Sequence, residues 1–173
     1  MDIKSMIRTI PNFPKEGIMF RDVTTLLKNP IGFNYVIDQF AKRYENMDID
    51  YIVGIESRGF ILGGAIAHRL NKGFIPVRKP GKLPYDVDSI EYELEYGIDK
   101  LEIHLDALKK GDKVVLIDDL IATAGTGLAA IQLIEKRGAK IVEFGCVIEL
   151  PELKGRDKLN GYPVYSMVQF EGE

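Results

Sequence analysis

Nearly unbroken apolar runs set the architecture of this chain: YIVGI at 51–55, FIPV at 74–77, KVVLI at 113–117 and KIVEFGCVIEL at 140–150. A strand with one wet face alternates apolar and polar residues. Runs like these are buried on both faces, as in a parallel sheet covered by helices. The segments between them supply the helices. FILGGAIAHRL (60–70) follows the first run, and a helix over about 127–137, ended by Gly138, follows the third. Ahead of the first run, Asn29-Pro30 joins an N-cap to proline at the first helical position. Phe33, Val36, Ile37 and Phe40 then follow at the spacing of one helix face. Residues 2–9 suit a short helix, PNFPKEG punctuates the chain, and YPVYSMV (162–168) supplies a further strand. The expected fold is a single α/β domain over 1–173, with ligands bound beyond the carboxyl ends of its parallel strands.

Charge and cysteine usage exclude several classes of function. A net charge of −3 argues against a general nucleic-acid binder, which would show a basic stripe, but leaves room for a local basic site for a phosphorylated small molecule. The single cysteine, Cys146, lies in an apolar run and reads as a small buried hydrophobe, with no metal-ligand spacing around it. The amino-terminal segment lacks a secretory h-region, and no apolar run is long enough to span a bilayer. A cytoplasmic protein without a membrane partner is expected.

One segment breaks the alternation of strand and helix. RKPGKLPYDVDSIEYELEYGIDKLEIHLDALKKGD (78–112) is a long polar connection, and such connections inside compact domains are usually lids or arms. Alternation in SIEYELEY (89–96) predicts a two-stranded arm; a decorative surface hairpin is the competing reading.

The chemistry concentrates in VVLIDDLIATAGT (114–126). Here ATAGTG follows a strand and opens a helix, where free backbone N–H groups and the positive helix end favour an anion by roughly 0.3–1 kcal/mol. Thr123 and Thr126 add hydroxyl donors, and the missing Gly-Lys-Ser/Thr ending excludes a Walker A loop. Alone, such a loop is equally an ordinary strand–helix turn. Asp118 and Asp119 would repel a phosphate pointed at them, and successive strand residues face opposite sides. They make sense if the ligand carries hydrogen-bond donors next to its phosphate, as the vicinal hydroxyls of a ribose 5-phosphate do. A Mg²⁺ site is the competing reading.

This stretch resembles the phosphoribosyl pyrophosphate (PRPP) motif of the type I phosphoribosyltransferase family. The similarity, strongest to the members acting on adenine, continues through PNFPKEGIMFRD (11–22), GIESRGFILG (54–63), RKPGKLP (78–84), LEYGIDKLEIH (94–104) and LKGRDKL (153–159). The resemblance implies the type I fold, with a small N-terminal hood segment (1–28) that recognises the base and a mobile β-arm lid at about 79–105. It implies a Mg²⁺-dependent transfer of the 5-phosphoribosyl group from PRPP to N9 of adenine, giving AMP and pyrophosphate in purine salvage, by a homodimer.

Site roles follow from the same resemblance. Asp118 and Asp119 hold the ribose diol, and Ala122, Thr123, Ala124, Gly125 and Thr126 hold the 5-phosphate. Ser57, Arg58, Arg78, Lys79 and Lys82 take the pyrophosphate, with unusual peptide geometry near Glu56-Ser57 and with Arg78 reaching a neighbouring subunit's site. Mg²⁺ takes its ligands mainly from substrate and water, the sequence showing no dedicated cage. Phe20 stacks on the purine while backbone groups of Met19 and Arg21 read its edge. Glu95 contacts N7 and, with Arg58 and Lys82, forms the catalytic set. Hypoxanthine–guanine enzymes of this superfamily carry an aspartate where this chain has Ala122, which points to adenine. From the residues alone, Phe20 is equally a core aromatic, and Glu95 is one of three alternating glutamates that would face water. Ala124 stands where the family often has glycine, so a positive φ there would strain the loop. His68, on a helix, and His104, near the arm's base, lack the partners of a nucleophilic triad. Two alternatives remain: transfer to xanthine or guanine, and a non-catalytic PRPP-sensing regulator.

Overall fold

The computed structural model describes residues 1–94 and 97–172. It begins differently from the sequence expectation. In place of a helix over 2–9 there is one 3-10 turn, Lys4–Met6, followed by strand β1 (Arg8–Pro11), antiparallel to β2 (Met19–Asp22). Pro11 disfavours helical geometry at the residue before it. Arg8 also donates from Nε and Nη2 to Asp22 Oδ2, at 3.1 and 2.5 Å, which fixes the pair of strands.

A short helix α1 (Thr24–Lys28) leads into α2 (Pro30–Tyr44). Asn29 caps α2 as expected, its Oδ1 accepting from the N–H groups of Ile31 and Gly32 at 3.0 and 3.1 Å, and Val36, Ile37 and Phe40 are buried. There follow β3 (Tyr51–Ile55), α3 (Arg58–Arg69), β4 (Gly73–Val77), the arm strands β5 (Val87–Leu94) and β6 (Gly97–His104), and β7 (Lys113–Ile121). Helix α4 (Gly125–Lys136), β8 (Lys140–Glu149), a short helix α5 (Gly155–Lys158) and β9 (Val164–Gln169) complete the chain.

The central sheet has five strands in the order β4-β3-β7-β8-β9, all parallel. Consecutive residues of β7 bury into opposite layers. Val114 and Leu116 join a core with α4 and the arm, while Val115 and Ile117 join a core with α2 and α3. That double burial is why the strand reads as an unbroken apolar run. The order reverses between β3 and β7, so loops leaving the carboxyl ends of these neighbours diverge and open a crevice between them.

The arm strands pair antiparallel along their full length, from Val87 opposite His104 to Leu94 opposite Gly97. Leu101 and Ile103 are fully buried in the α4-side core. Backbone bonds between Arg78 and Glu102, at 3.0 and 2.8 Å, tie the arm's base to the end of β4. A hairpin anchored in this way is not surface decoration.

Candidate active site

A cavity of about 560 Å³ opens at the carboxyl ends of β3 and β7. Strand β2 forms one wall with Met19, Phe20 and Arg21, Ser57 of the β3–α3 loop and Arg58 at the start of α3 another, and the end of β7 with its following loop the floor. The sequence-predicted residues Lys79, Asp118, Asp119, Ala122, Ala124 and Thr126 also line it. Thr123 in the same loop and Gly125, the first residue of α4, do not line the cavity, and Arg78 and Lys82 lie outside it. Glu95 lies outside the described residues.

Strand β7 runs to Ile121, so both aspartates belong to the strand rather than to the loop after it. Although successive, both reach this one cavity, which wraps the strand's end. The Asp119 carboxylate is buried and accepts from Arg58 Nε. Asp118 turns its Oδ1 back to the Asp119 N–H at 2.8 Å. Burial, and then the charge of Asp119, pushes the Asp118 carboxyl well above the usual carboxylate range. Helix α3 docks close enough for this because Gly59 has no side chain. A Cβ there would meet Ile117 O at 2.8 Å and Asp118 Oδ1 at 3.2 Å. The peptide between Glu56 and Ser57 is cis.

Lys79, Arg78 and Arg21 already have partners. Lys79 donates from Nζ to Asp99 Oδ2, and to the Tyr92 hydroxyl at 3.1 Å. Tyr92 in turn lies 3.3 Å from Thr126 Oγ1, so the end of β4, the arm and the small-residue loop are joined in one network. Arg78 sits 3.6 Å from Glu56 Oε2, donates to Lys82 O at 3.3 Å and lies over the Phe60 ring. Arg21 sends its guanidinium away from the cavity to Thr9 Oγ1 and to the carbonyls of Glu171 and Gly172. What Arg21 offers the cavity is therefore backbone and stem, not charge. Phe20 is half-buried and packs edge-on against Phe13, with ring centroids 5.2 Å apart.

The phosphoribosyl transferase domain, as a family model, matches residues 22–170. The chain belongs to that family. It is 59% identical to the adenine phosphoribosyltransferase of Chlorobium limicola, over the whole of both chains. Among solved structures it is similar to the adenine phosphoribosyltransferase of Thermoanaerobacter pseudethanolicus, 50% identical with a TM-score of 0.95 and 98% of each chain covered. It is also similar to that of Saccharomyces cerevisiae, solved with an imino-altritol bisphosphate and adenine. There the identity is 43% and the TM-score 0.91, with 96% of this chain and 97% of that one covered.

In this phosphoribosyltransferase Ala124 does adopt the left-handed conformation, at φ 63° and ψ 13°, one residue before α4. A Cβ in that region costs about 1–2 kcal/mol, partly offset by the burial of the Ala124 methyl and by the greater unfolded-state freedom of glycine. Replacing Ala124 by glycine is expected to raise the melting temperature by about 2–4 °C, read by calorimetry. A fall would mean that the methyl's packing outweighs the strain. Sequence reasoning missed Glu56, Tyr92 and Asp99. Glu56 lies within GIESRGFILG, and its carboxylate accepts from the Lys79 N–H, linking the two basic loops. For Tyr92 and Asp99 the arm's alternating pattern was the available signal, and it did not name their partners.

Proposed function

We propose that the chain transfers the 5-phosphoribosyl group of PRPP to N9 of adenine, releasing pyrophosphate and forming AMP in purine salvage. The observation that carries this reading is the sharing of one cavity by a helix-opening loop, a carboxylate pair and an aromatic wall. Each suits one part of the substrates. Backbone N–H groups at the start of α4 with the Thr126 hydroxyl suit the 5-phosphate, Asp118 and Asp119 the ribose hydroxyls, and Phe20 the purine. Arg58, beside the aspartates, suits the pyrophosphate, and Lys79, Lys82 and Arg78 add positive charge from the next loop. Similarity to enzymes named for adenine, with alanine at 122, supports adenine over xanthine or guanine.

As pyrophosphate departs, the ribosyl C1 gains oxocarbenium character and N9 attacks from the opposite face. Glu95 shares a proton with N7 as the glycosidic bond forms. The arm, about 79–105, closes over the site and keeps water from competing for C1. Among the described residues no group of three or more histidines, cysteines or carboxylates could hold a metal alone. The carboxyl oxygens of Asp118 and Asp119 are hard donors in the same cavity and would be compatible with a Mg²⁺ held mainly by substrate and water, which would supply positive charge to the departing pyrophosphate. The family resemblance supports a homodimer. We also propose a cytoplasmic location; no described helix is long and apolar enough to cross a membrane.

Initial rates with PRPP and Mg²⁺ on a purine panel test the reading. Adenine is expected to lead xanthine and guanine by about 10³-fold or more, because a 6-oxopurine leaves buried edge groups unpaired. Comparable turnover of guanine would overturn the base assignment, and no turnover of any purine would favour the regulator. Phe20→Ala should raise the KM for adenine by about 5–100-fold while the KM for PRPP stays within about twofold, the signature of a lost stacking surface.

A further inference from the structure

The LKGRDKL stretch has no part in the reading above, yet it lies directly beneath the phosphate loop. A Cβ on Gly155 would fall 2.3 Å from the carbonyl oxygen of Ala122, 3.0 Å from Ile121 Cγ2 and 3.2 Å from Ala124 Cβ. The first of these contacts is with backbone and cannot be relieved by turning a side chain. The φ of Gly155 is not positive, so its own backbone conformation does not demand glycine. What excludes a side chain is the underside of the loop.

The segment carrying Gly155 is firmly held. Arg156 donates from Nε and Nη2 to the two oxygens of Glu149, at 2.6 and 2.8 Å, and from Nη1 to Val164 O at 3.1 Å. Glu149 is buried at the end of β8 and also accepts from Ser166 Oγ at 2.5 Å. It pairs in register with Ile121, the last residue before the loop, and the next N–H, that of Leu150, donates to Ile121 O at 2.9 Å. Leu159, just beyond α5, is buried in the α4-side core. The loop is thus bonded at its start and supported from below by one rigid unit.

We propose that Gly155 is a positioning residue for the 5-phosphate, its bare Cα setting how deep the Ala122–Thr126 loop lies against the brace that Arg156 and Glu149 hold. This rests on the loop being the 5-phosphate site. Gly155→Ala must open the contact from 2.3 Å toward the 3.4 Å of ordinary packing, a displacement of about 1 Å in a binding loop. Misplacement of that size costs on the order of 10²-fold.

The test is calorimetric titration with ribose 5-phosphate, beside steady-state KM values for adenine and PRPP, on the unaltered protein, Gly155→Ala and Arg156→Lys. In Gly155→Ala, ribose 5-phosphate binding and the KM for PRPP should each worsen by about 30–100-fold, with the KM for adenine within about threefold. Arg156→Lys leaves Gly155 in place but removes the bidentate clamp, and should give the same split at about 5–10-fold. It decides the matter if the alanine variant does not fold. Unchanged ribose 5-phosphate binding in folded Gly155→Ala overturns the proposal, as does equal worsening for ribose 5-phosphate and adenine. Failure of the unaltered protein to bind ribose 5-phosphate would instead overturn the reading of the loop, and the brace with it.

Discussion

Asp119→Asn is expected to raise the KM for PRPP by about 10–100-fold while that for adenine stays within about twofold. Two effects oppose each other in this substitution. Asparagine forfeits a charged acceptor for the ribose hydroxyls, a bond of about 1.5–3 kcal/mol. It also releases Arg58, now held by the Asp119 carboxylate, to bind pyrophosphate more freely. The Arg58 side chain is 43% exposed against 7% for Asp119. Its gain is therefore screened and worth at most about 1 kcal/mol, so loss of the acceptor prevails.

Asp118→Asn should do less. Asp118 Oδ1 already accepts from the Asp119 N–H at 2.8 Å, so less of its carboxyl is free to take ribose hydroxyls than that of Asp119. Initial-rate measurements on both variants decide the order. Equal penalties would mean that the pair acts as one unit, and an unchanged KM for PRPP in both would remove the diol assignment.

The sheet was legible because its cause is local. Val114 to Ile117 bury alternately into two cores, so every position is apolar and the run announces itself. The N-terminal strand was not, because its partner is Met19–Asp22 and its anchor is the Arg8–Asp22 ion pair, neither of which leaves a periodic trace. Within the site, residue types were readable but partners were not. Lys79 shows its charge in the sequence and not that Asp99 of the arm holds it. Gly155 shows as a glycine in a motif, but the carbonyl that requires it belongs to Ala122, which precedes α4 and β8 in the chain. Ala124 was legible as a question about φ, and the answer of 63° converts it into a measurable strain.

The largest expected effect falls on a residue between the arm strands. Glu95→Gln should lower kcat by about 10²–10³-fold with the KM for PRPP within about threefold, since general acid–base catalysis contributes on that scale and the amide cannot exchange a proton with N7. Glu95 lies outside the described residues, and its role is the one the family resemblance implies. Tyr92 lies 3.3 Å from Thr126, and the Glu93 carbonyl would lie 3.8 Å from a Cβ on Gly125, so the described end of β5 packs against the start of α4. Glu91 and Glu93, the other glutamates of the alternating run, are exposed, and their glutamine variants should change kcat by no more than about twofold. Arm opening or product release can limit turnover and conceal a slowed chemical step. AMP formation should therefore be followed in a single turnover with enzyme in excess. There, Glu95→Gln and Glu95→Leu should be slowed alike if proton exchange is the function lost, whereas glutamine should recover most of the rate if only a hydrogen bond was needed. Unchanged single-turnover rates in both would remove Glu95 from the chemistry.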